Sequence, residues 1–302
     1  MKSGFNKSFL LAGWILFVSS FSQGQAACNI EHLSSPVEGG VIAYDQAGTG
    51  APILLLHGLF ADKEQWTPLL CLLSEAGYRA IAPDLPGYGK SLEGYGLGVY
   101  ALESERDLVL AFADRLGLSR FHLAGSSMGG AVAALMTSKM PYRVRTLAFI
   151  GSPQGVEAWS PAVQDAIREG VNPFIPVTDA ELSLELSLLF VKPPSLPPER
   201  REQILAGYIQ NNAHYVKVWN IVNLYDNVLT RDGGVKMPRT VPSFILWGMN
   251  DQIFSIKGAS KLKRWLGRGE LERLPAAGHL LLEENAEAAF ARYQRFLLKH
   301  RP

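Results

Sequence analysis

The sequence predicts an α/β protein: a mostly parallel sheet flanked by helices, with a helical lid inserted late in the chain. Short apolar runs alternate with helix-like segments from Val41 to Gly151. Two of those runs, "ILLL" at 53–56 and "LAFI" at 147–150, are apolar at every position, as strands buried on both faces of a parallel sheet are. After a proline-rich interruption the rhythm resumes with "SFILWG" at 243–248.

Residues 1–27 stand apart from this pattern. Lys2 and Lys7 make a basic start, 9–18 is uncharged and apolar, and a small polar tail ends at Ala26 and Ala27. That is the pattern of a secretory signal peptide, its apolar core too short to span a bilayer. The remainder, about 275 residues, suits one α/β domain. Only two cysteines are present, Cys28 and Cys71. An exported protein can join them in a disulfide. Cys71, within "LLCLL", reads more simply as a buried free thiol. Cys28 after Ala26-Ala27 also reads as a lipid-attachment site, although Gln25 departs from that motif.

Strands are expected at 41–45, 53–56, 79–83, 121–124 and 147–150, with helices at 63–76, 103–116 and 127–139 between them. The later part adds strands at 243–248 and 270–274 and helices at 256–266 and 287–299. From residue 152 to about 237 the sequence reads as the inserted lid. Ser160-Pro161 caps one helix, "TDAE" at 178–181 is a capping-box pattern before another, and "KPPSLPPE" at 192–199 is a stiff turn before a third. "LSLELSLLF" at 182–190 alternates like a strand, but its leucine and glutamate content and its cap favour a helix.

With 47% hydrophobic and 19% charged residues the chain can fill a large core, and a net charge of +1 gives no field suited to nucleic acid. Neither a phosphate-cradling loop nor clustered His or Cys ligands occur, so no cofactor and no metal are expected.

"HLAGSSMGGAVA" at 122–133 places a serine between a strand-like run and a helix-like run, in the spacing G-x-S-x-G. Centring the motif on Ser127 puts Gly125 and Gly129 at its flanks, whereas Ser126 would need glycine at Ala124 and Met128. A serine hydroxyl becomes a nucleophile when an oriented base takes its proton. "FILWG" leads into Asp251, and the run after 270–274 leads into His279, so Ser127, Asp251 and His279 follow in order, each just past a strand. "LLLHGLF" at 54–60 turns sharply after a strand, which assigns an oxyanion hole to the backbone N–H groups of Leu59 and Met128. His57 is expected to orient that loop, Asp84 to brace its own turn, and His122 and His214 to be structural.

On "LLLHGLFADKEQW", "APDLPGYGKS", "FHLAGSSMGGAVA", "ILWGMNDQIF" and "LPAAGHLLLEE", the chain resembles α/β-hydrolase-fold serine hydrolases of the lidded lipase and esterase type. "LFVKPPSLP" and "LWGMNDQIF" bring it nearest to monoacylglycerol lipases and the bacterial lipases related to them. The resemblance implies the same three residues and a small-molecule acyl ester as substrate. Leu182, Leu184, Leu186, Leu188, Leu189 and Phe190 then either line an acyl tunnel, face a lipid interface or pack on the sheet. Carbon–carbon bond hydrolases of aromatic-ring breakdown share the architecture, but they usually carry Asn where Ser126 stands. Epoxide hydrolases and haloalkane dehalogenases use an Asp nucleophile, which Ser127 argues against. A catalytically inactive binding module is the reading from outside enzymology, and retention of all three residues speaks against it.

Overall fold

The computed structural model describes residues 28–91, 95–225 and 227–301. The signal-peptide segment lies outside them. Among the described residues eight strands form one sheet: β1 (Glu31–Val37), β2 (Gly40–Ala47), β3 (Ala51–Leu56), β4 (Tyr78–Pro83), β5 (Phe121–Gly125), β6 (Val144–Ile150), β7 (Ser243–Gly248) and β8 (Gly269–Leu274), in spatial order β1-β2-β4-β3-β5-β6-β7-β8. β1 and β2 pair antiparallel, β2 pairs antiparallel with β4, and every pairing from β4 to β8 is parallel. β3 lies between β4 and β5, so the chain reverses its direction of travel across the sheet there, the place where α/β sheets open a crevice at their carboxyl edge.

The all-apolar strands are explained by two cores. Successive residues of a strand point to opposite faces. Ile53 and Leu55 pack with Trp66, with Leu69 of α1 (Thr67–Glu75), and with Tyr293 and Phe296 of α9 (Leu281–Lys299). Leu54 and Leu56 pack in the opposite cluster with Phe112 of α2 (Leu102–Arg115) and Val132 of α3 (Met128–Lys139). Leu262 of α8 (Lys257–Leu266) belongs to that second cluster too.

Two boundaries differ from expectation. β1 was not expected, because "EHLSSPV" displays no continuous apolar face; it is an edge strand whose main chain pairs with β2 while most of its side chains meet water, Ser35 being buried and Val37 packing against the core. α9 begins at Leu281 rather than at 287, with non-helical Asn285 (φ −160°, ψ 72°) inside it. The Asn285 side chain accepts a hydrogen bond from the Ala288 N–H, so the helix restarts from an internal cap close to the expected boundary.

Between β6 and β7 the described residues form four helices: α4 (Pro161–Arg168), α5 (Asp179–Leu189), α6 (Pro198–Gln210) and α7 (Asn212–Val222). Ser160 caps α4 by accepting from the Val163 N–H, and Thr178 caps α5 by accepting from the Glu181 N–H. Glu181 reaches back to the Val177 N–H, one residue earlier than the standard capping box. The segment 182–190 is helical through Leu189, as its composition and cap favour.

Cys28 and Cys71 form a disulfide with a Cα–Cα distance of 5.5 Å. The reading of Cys71 as a free thiol is therefore corrected: the partner comes from the chain start, beyond the local "LLCLL" pattern. A sulfur in this bond is not free to carry a lipid. The bond closes a sequence separation of 43 residues, and a loop of that length predicts a stabilisation of about 2–4 kcal/mol. Cys71→Ser should lower the unfolding midpoint accordingly, and wild type in reductant should melt with the variant. A wild-type melt unmoved by complete reduction would remove the bond from the stability account.

Candidate active site

Ser127 joins β5 to α3 with φ 51° and ψ −120°, a left-handed conformation that ordinary side chains rarely adopt. Its glycine neighbours are required by the close approach that holds this turn. A Cβ on Gly129 would lie 2.2 Å from the Leu56 carbonyl oxygen, and one on Gly125 would lie 2.3 Å from the Gly129 carbonyl oxygen. The turn is thereby pressed against the carboxyl end of β3, and Ser127 lines a cleft at that end of the sheet.

His279 lines the same cleft. Asp251 follows β7, and its Oδ1 accepts from the N–H groups of Ile253 at 2.8 Å and Phe254 at 3.1 Å. These bonds fix the carboxylate, whose Oδ2 lies 3.2 Å from His279 Nδ1. The sequence-predicted Ser127, Asp251 and His279 thus come together at one end of the sheet.

Ser152 was missed by sequence reading. Its hydroxyl donates to Asp251 Oδ2 and lies 3.0 Å from His279 Nδ1. The available signal was its place just past β6, the same strand-end criterion that selected Asp251 and His279. Ser152→Ala removes a bond to a charged group, worth about 1.5–3 kcal/mol, so kcat for an ester should fall roughly 10- to 100-fold with KM little changed. An unchanged kcat would show that Ser152 does not position the pair.

Met128 is the first residue of α3, where backbone N–H groups have no helical partner. In the facing loop the Gly58 N–H is taken by Gln65 Oε1 at 2.9 Å, and the next residue, Leu59, lines the cleft. Gln65 is a second group that sequence reading missed. His57 is fully buried, with Nδ1 donating to the Gly58 carbonyl at 2.8 Å and Nε2 accepting from the Leu85 N–H at 2.9 Å. Burial pushes its pKa down to about 4, so it is neutral and braces the loop with both nitrogens. Asp84 accepts from the N–H groups of Lys63 and Lys90, bracing the turns on either side. His122 contacts Thr146 inside the sheet, and His214 contacts Tyr100.

The cleft has an empty volume of about 800 Å³ including its open mouth, and Phe60, Trp159, Phe174, Leu189, Ile253 and Leu280 give it an apolar wall. Of the six apolar residues at 182–190, Leu189 alone is among the cleft-lining residues; Leu182, Leu186, Leu188 and Phe190 are buried in the core. Packing therefore claims most of that surface, because a helix turns successive leucines through all directions. Three carboxyls also line the cleft, Asp62, Glu185 and Glu283. Burial pushes Asp62 up to about 7, helped by repulsion from Asp84, and pushes Glu185 up to about 8 and Glu283 up to about 7. None of the described lining residues is Lys or Arg, and Lys63, next to Asp62 but not among the lining residues, opposes the Asp62 shift only in part.

The family model of the α/β hydrolase fold matches residues 51–286, and the chain belongs to that family. Its relatives include Lipase 1 of Psychrobacter immobilis, 26% identical over 248 residues, 82% of this chain and 77% of the relative. Monoacylglycerol lipase ABHD6 of Bos taurus is 26% identical over 243 residues, 77% of this chain and 71% of the relative. Among solved structures, a membrane phospholipase A described as a bacterial virulence factor superposes with a TM-score of 0.79 at 25% identity, covering 90% of this chain and 87% of that one. A meta-cleavage product hydrolase from Pseudomonas fluorescens IP01 shares the fold, with a TM-score of 0.74 at 21% identity over 89% of this chain and 98% of that one. The likeness in sequence is thus to lipases and esterases, carboxylic ester hydrolases of this fold.

Proposed function

We propose that the protein is an exported carboxylic ester hydrolase acting on acyl esters of the monoacylglycerol kind. The observation that carries this reading is Ser127 in its strained strand-to-helix turn, sharing an apolar cleft with His279, whose Nδ1 is held by Asp251. His279 takes the Ser127 proton, and Oγ attacks the ester carbonyl. The N–H groups of Leu59 and Met128 stabilise the tetrahedral oxyanion. His279 then protonates the leaving alcohol, and water, activated by the same imidazole, releases the acid. The apolar wall suits an acyl chain, and the helices between β6 and β7 act as its lid. Export is supported by the leader pattern of residues 1–27 and by the Cys28–Cys71 bond, since disulfides persist in oxidising compartments.

The test is hydrolysis of p-nitrophenyl esters with acyl chains of about two to sixteen carbons, together with monoacylglycerol, beside labelling by a serine-reactive phosphonate. Labelling and activity that rises toward medium or long chains and includes monoacylglycerol is the expected result. Turnover confined to acetate and butyrate would overturn the acylglycerol assignment. Labelling without any ester turnover would instead favour carbon–carbon bond hydrolysis, the reading supported by the fold shared with the meta-cleavage product hydrolase.

A further inference from the structure

Glu185 is out of place in an acyl-binding wall. It sits on α5 among leucines, only 4% exposed, and lines the cleft with Ser127 and His279. Tyr208, itself fully buried on α6, donates to Glu185 Oε1 at 2.9 Å. The other oxygen, Oε2, is buried without a hydrogen-bond partner. A buried polar atom left in that state costs about 1–3 kcal/mol, so a protein retains one where something else completes it.

The position of Glu185 indicates what completes it. Leu189, one helical turn further along α5, accepts through its carbonyl from the N–H groups of His279 at 3.0 Å and Leu280 at 3.2 Å. Residues i and i+4 share a helix face, and Leu189 and Glu185 both line the cleft, so Glu185 stands on the face of α5 turned toward the cleft that His279 also lines. His279 delivers the proton to the leaving alcohol, which places the alcohol part of the ester on this side of the cleft. We propose that Glu185, held by Tyr208, binds a hydroxyl on the alcohol part of the substrate and so selects glycerol-type esters over esters of simple alkanols. This rests on the ester-hydrolase reading above and adds the alcohol to it. The absence of Lys or Arg from the described lining argues against an anionic head group, and the surrounding Phe174, Ile253 and Leu189 suit a neutral one.

The experiment compares kcat/KM for 1-dodecanoylglycerol and propyl dodecanoate, which share an acyl chain and differ in hydroxyls, in wild type, Glu185→Leu and Glu185→Gln. Glu185→Leu should cut the glycerol-over-propyl preference at least tenfold by slowing the glycerol ester alone. Glu185→Gln, which keeps an acceptor and a donor at the same place, should retain most of the preference. A preference unmoved in folded Glu185→Leu, or equal losses on both esters, would overturn the assignment. Should the leucine variant not fold, inhibition of wild type by 1-O-dodecylglycerol and by dodecyl propyl ether decides the matter. At least tenfold tighter inhibition by the glycerol ether is expected, and equal inhibition overturns the proposal. Failure of wild type to turn over either ester would overturn the ester-hydrolase reading itself, a result distinct from loss of preference.

Discussion

Ser127→Ala should lower kcat for an acyl ester about a millionfold while leaving the fold intact. The magnitude follows from the way a nucleophile, its base and the orienting acid act as one unit, so that removing the attacking oxygen forfeits nearly all the acceleration they supply together. The fold should survive because alanine inherits the same backbone conformation at residue 127 and asks for no more space. The crowding in this turn comes from Gly125 and Gly129, whose added Cβ atoms would meet backbone oxygens rather than movable side chains. Asp251→Asn should cost less catalysis, about ten-thousandfold, since the imidazole remains but loses its orientation and charge partner. Single-turnover kinetics with a p-nitrophenyl ester, on samples matched by thermal melt, separate these outcomes from unfolding. Retention of a percent or more of wild-type turnover by folded Ser127→Ala would remove Ser127 from the mechanism.

The legibility of this site in the sequence has a physical basis. A nucleophile turn, a carboxylate and an imidazole that must meet at the carboxyl edge of a parallel sheet are each preceded by a strand, and buried parallel strands announce themselves as unbroken apolar runs. The glycines around Ser127 are legible for a related reason: the contacts with the Leu56 and Gly129 carbonyls exclude every other residue. What stayed hidden depends on long-range packing. Ser152 stands just past a strand as Asp251 and His279 do, but its meeting with them is set by strand packing, and Gln65 acts by reaching back to Gly58. The Cys28–Cys71 disulfide, one of the readings the two cysteines allow, is selected over a free thiol by packing across 43 residues. No local pattern encodes such meetings. The stretch 182–190 shows the converse. Its apolar residues look like a ligand surface in one dimension, yet the helix spends most of them on the core and turns Leu189 and Glu185 to the cleft. Of the three polar residues in that run, Glu185 is the informative one, because a buried carboxyl among leucines is costly unless it is partnered.

The same carboxyl makes stability depend on pH in an uncommon direction. Glu185 has an ordinary pKa of 4.5 and is pushed up to about 8 by burial, against a smaller opposing effect from the Tyr208 hydrogen bond. Between those values the folded protein holds a proton that the unfolded chain releases, so the contribution is fully present below about pH 4.5 and is lost as pH rises through about 8. Asp62 and Glu283, raised to about 7, act in the same sense across the cleft, while the Tyr208 and Tyr215 hydroxyls nearby stay protonated throughout because burial raises both. A tenfold difference in proton affinity between folded and unfolded chain is worth about 1.4 kcal/mol, so Glu185 alone should cost about 3–5 kcal/mol of folding stability between pH 5 and pH 9. Wild type should therefore unfold at lower denaturant at pH 9 than at pH 5.5, the reverse of proteins whose carboxylates are stabilised by ion pairs. Glu185→Gln, with the same shape and no proton to lose, should match wild type at pH 5.5 and exceed it at pH 9. Urea unfolding of both proteins at the two pH values measures this directly. Parallel pH profiles would mean that Glu185 ionises freely in the folded protein, and a buried neutral carboxyl could then no longer be held to face the substrate.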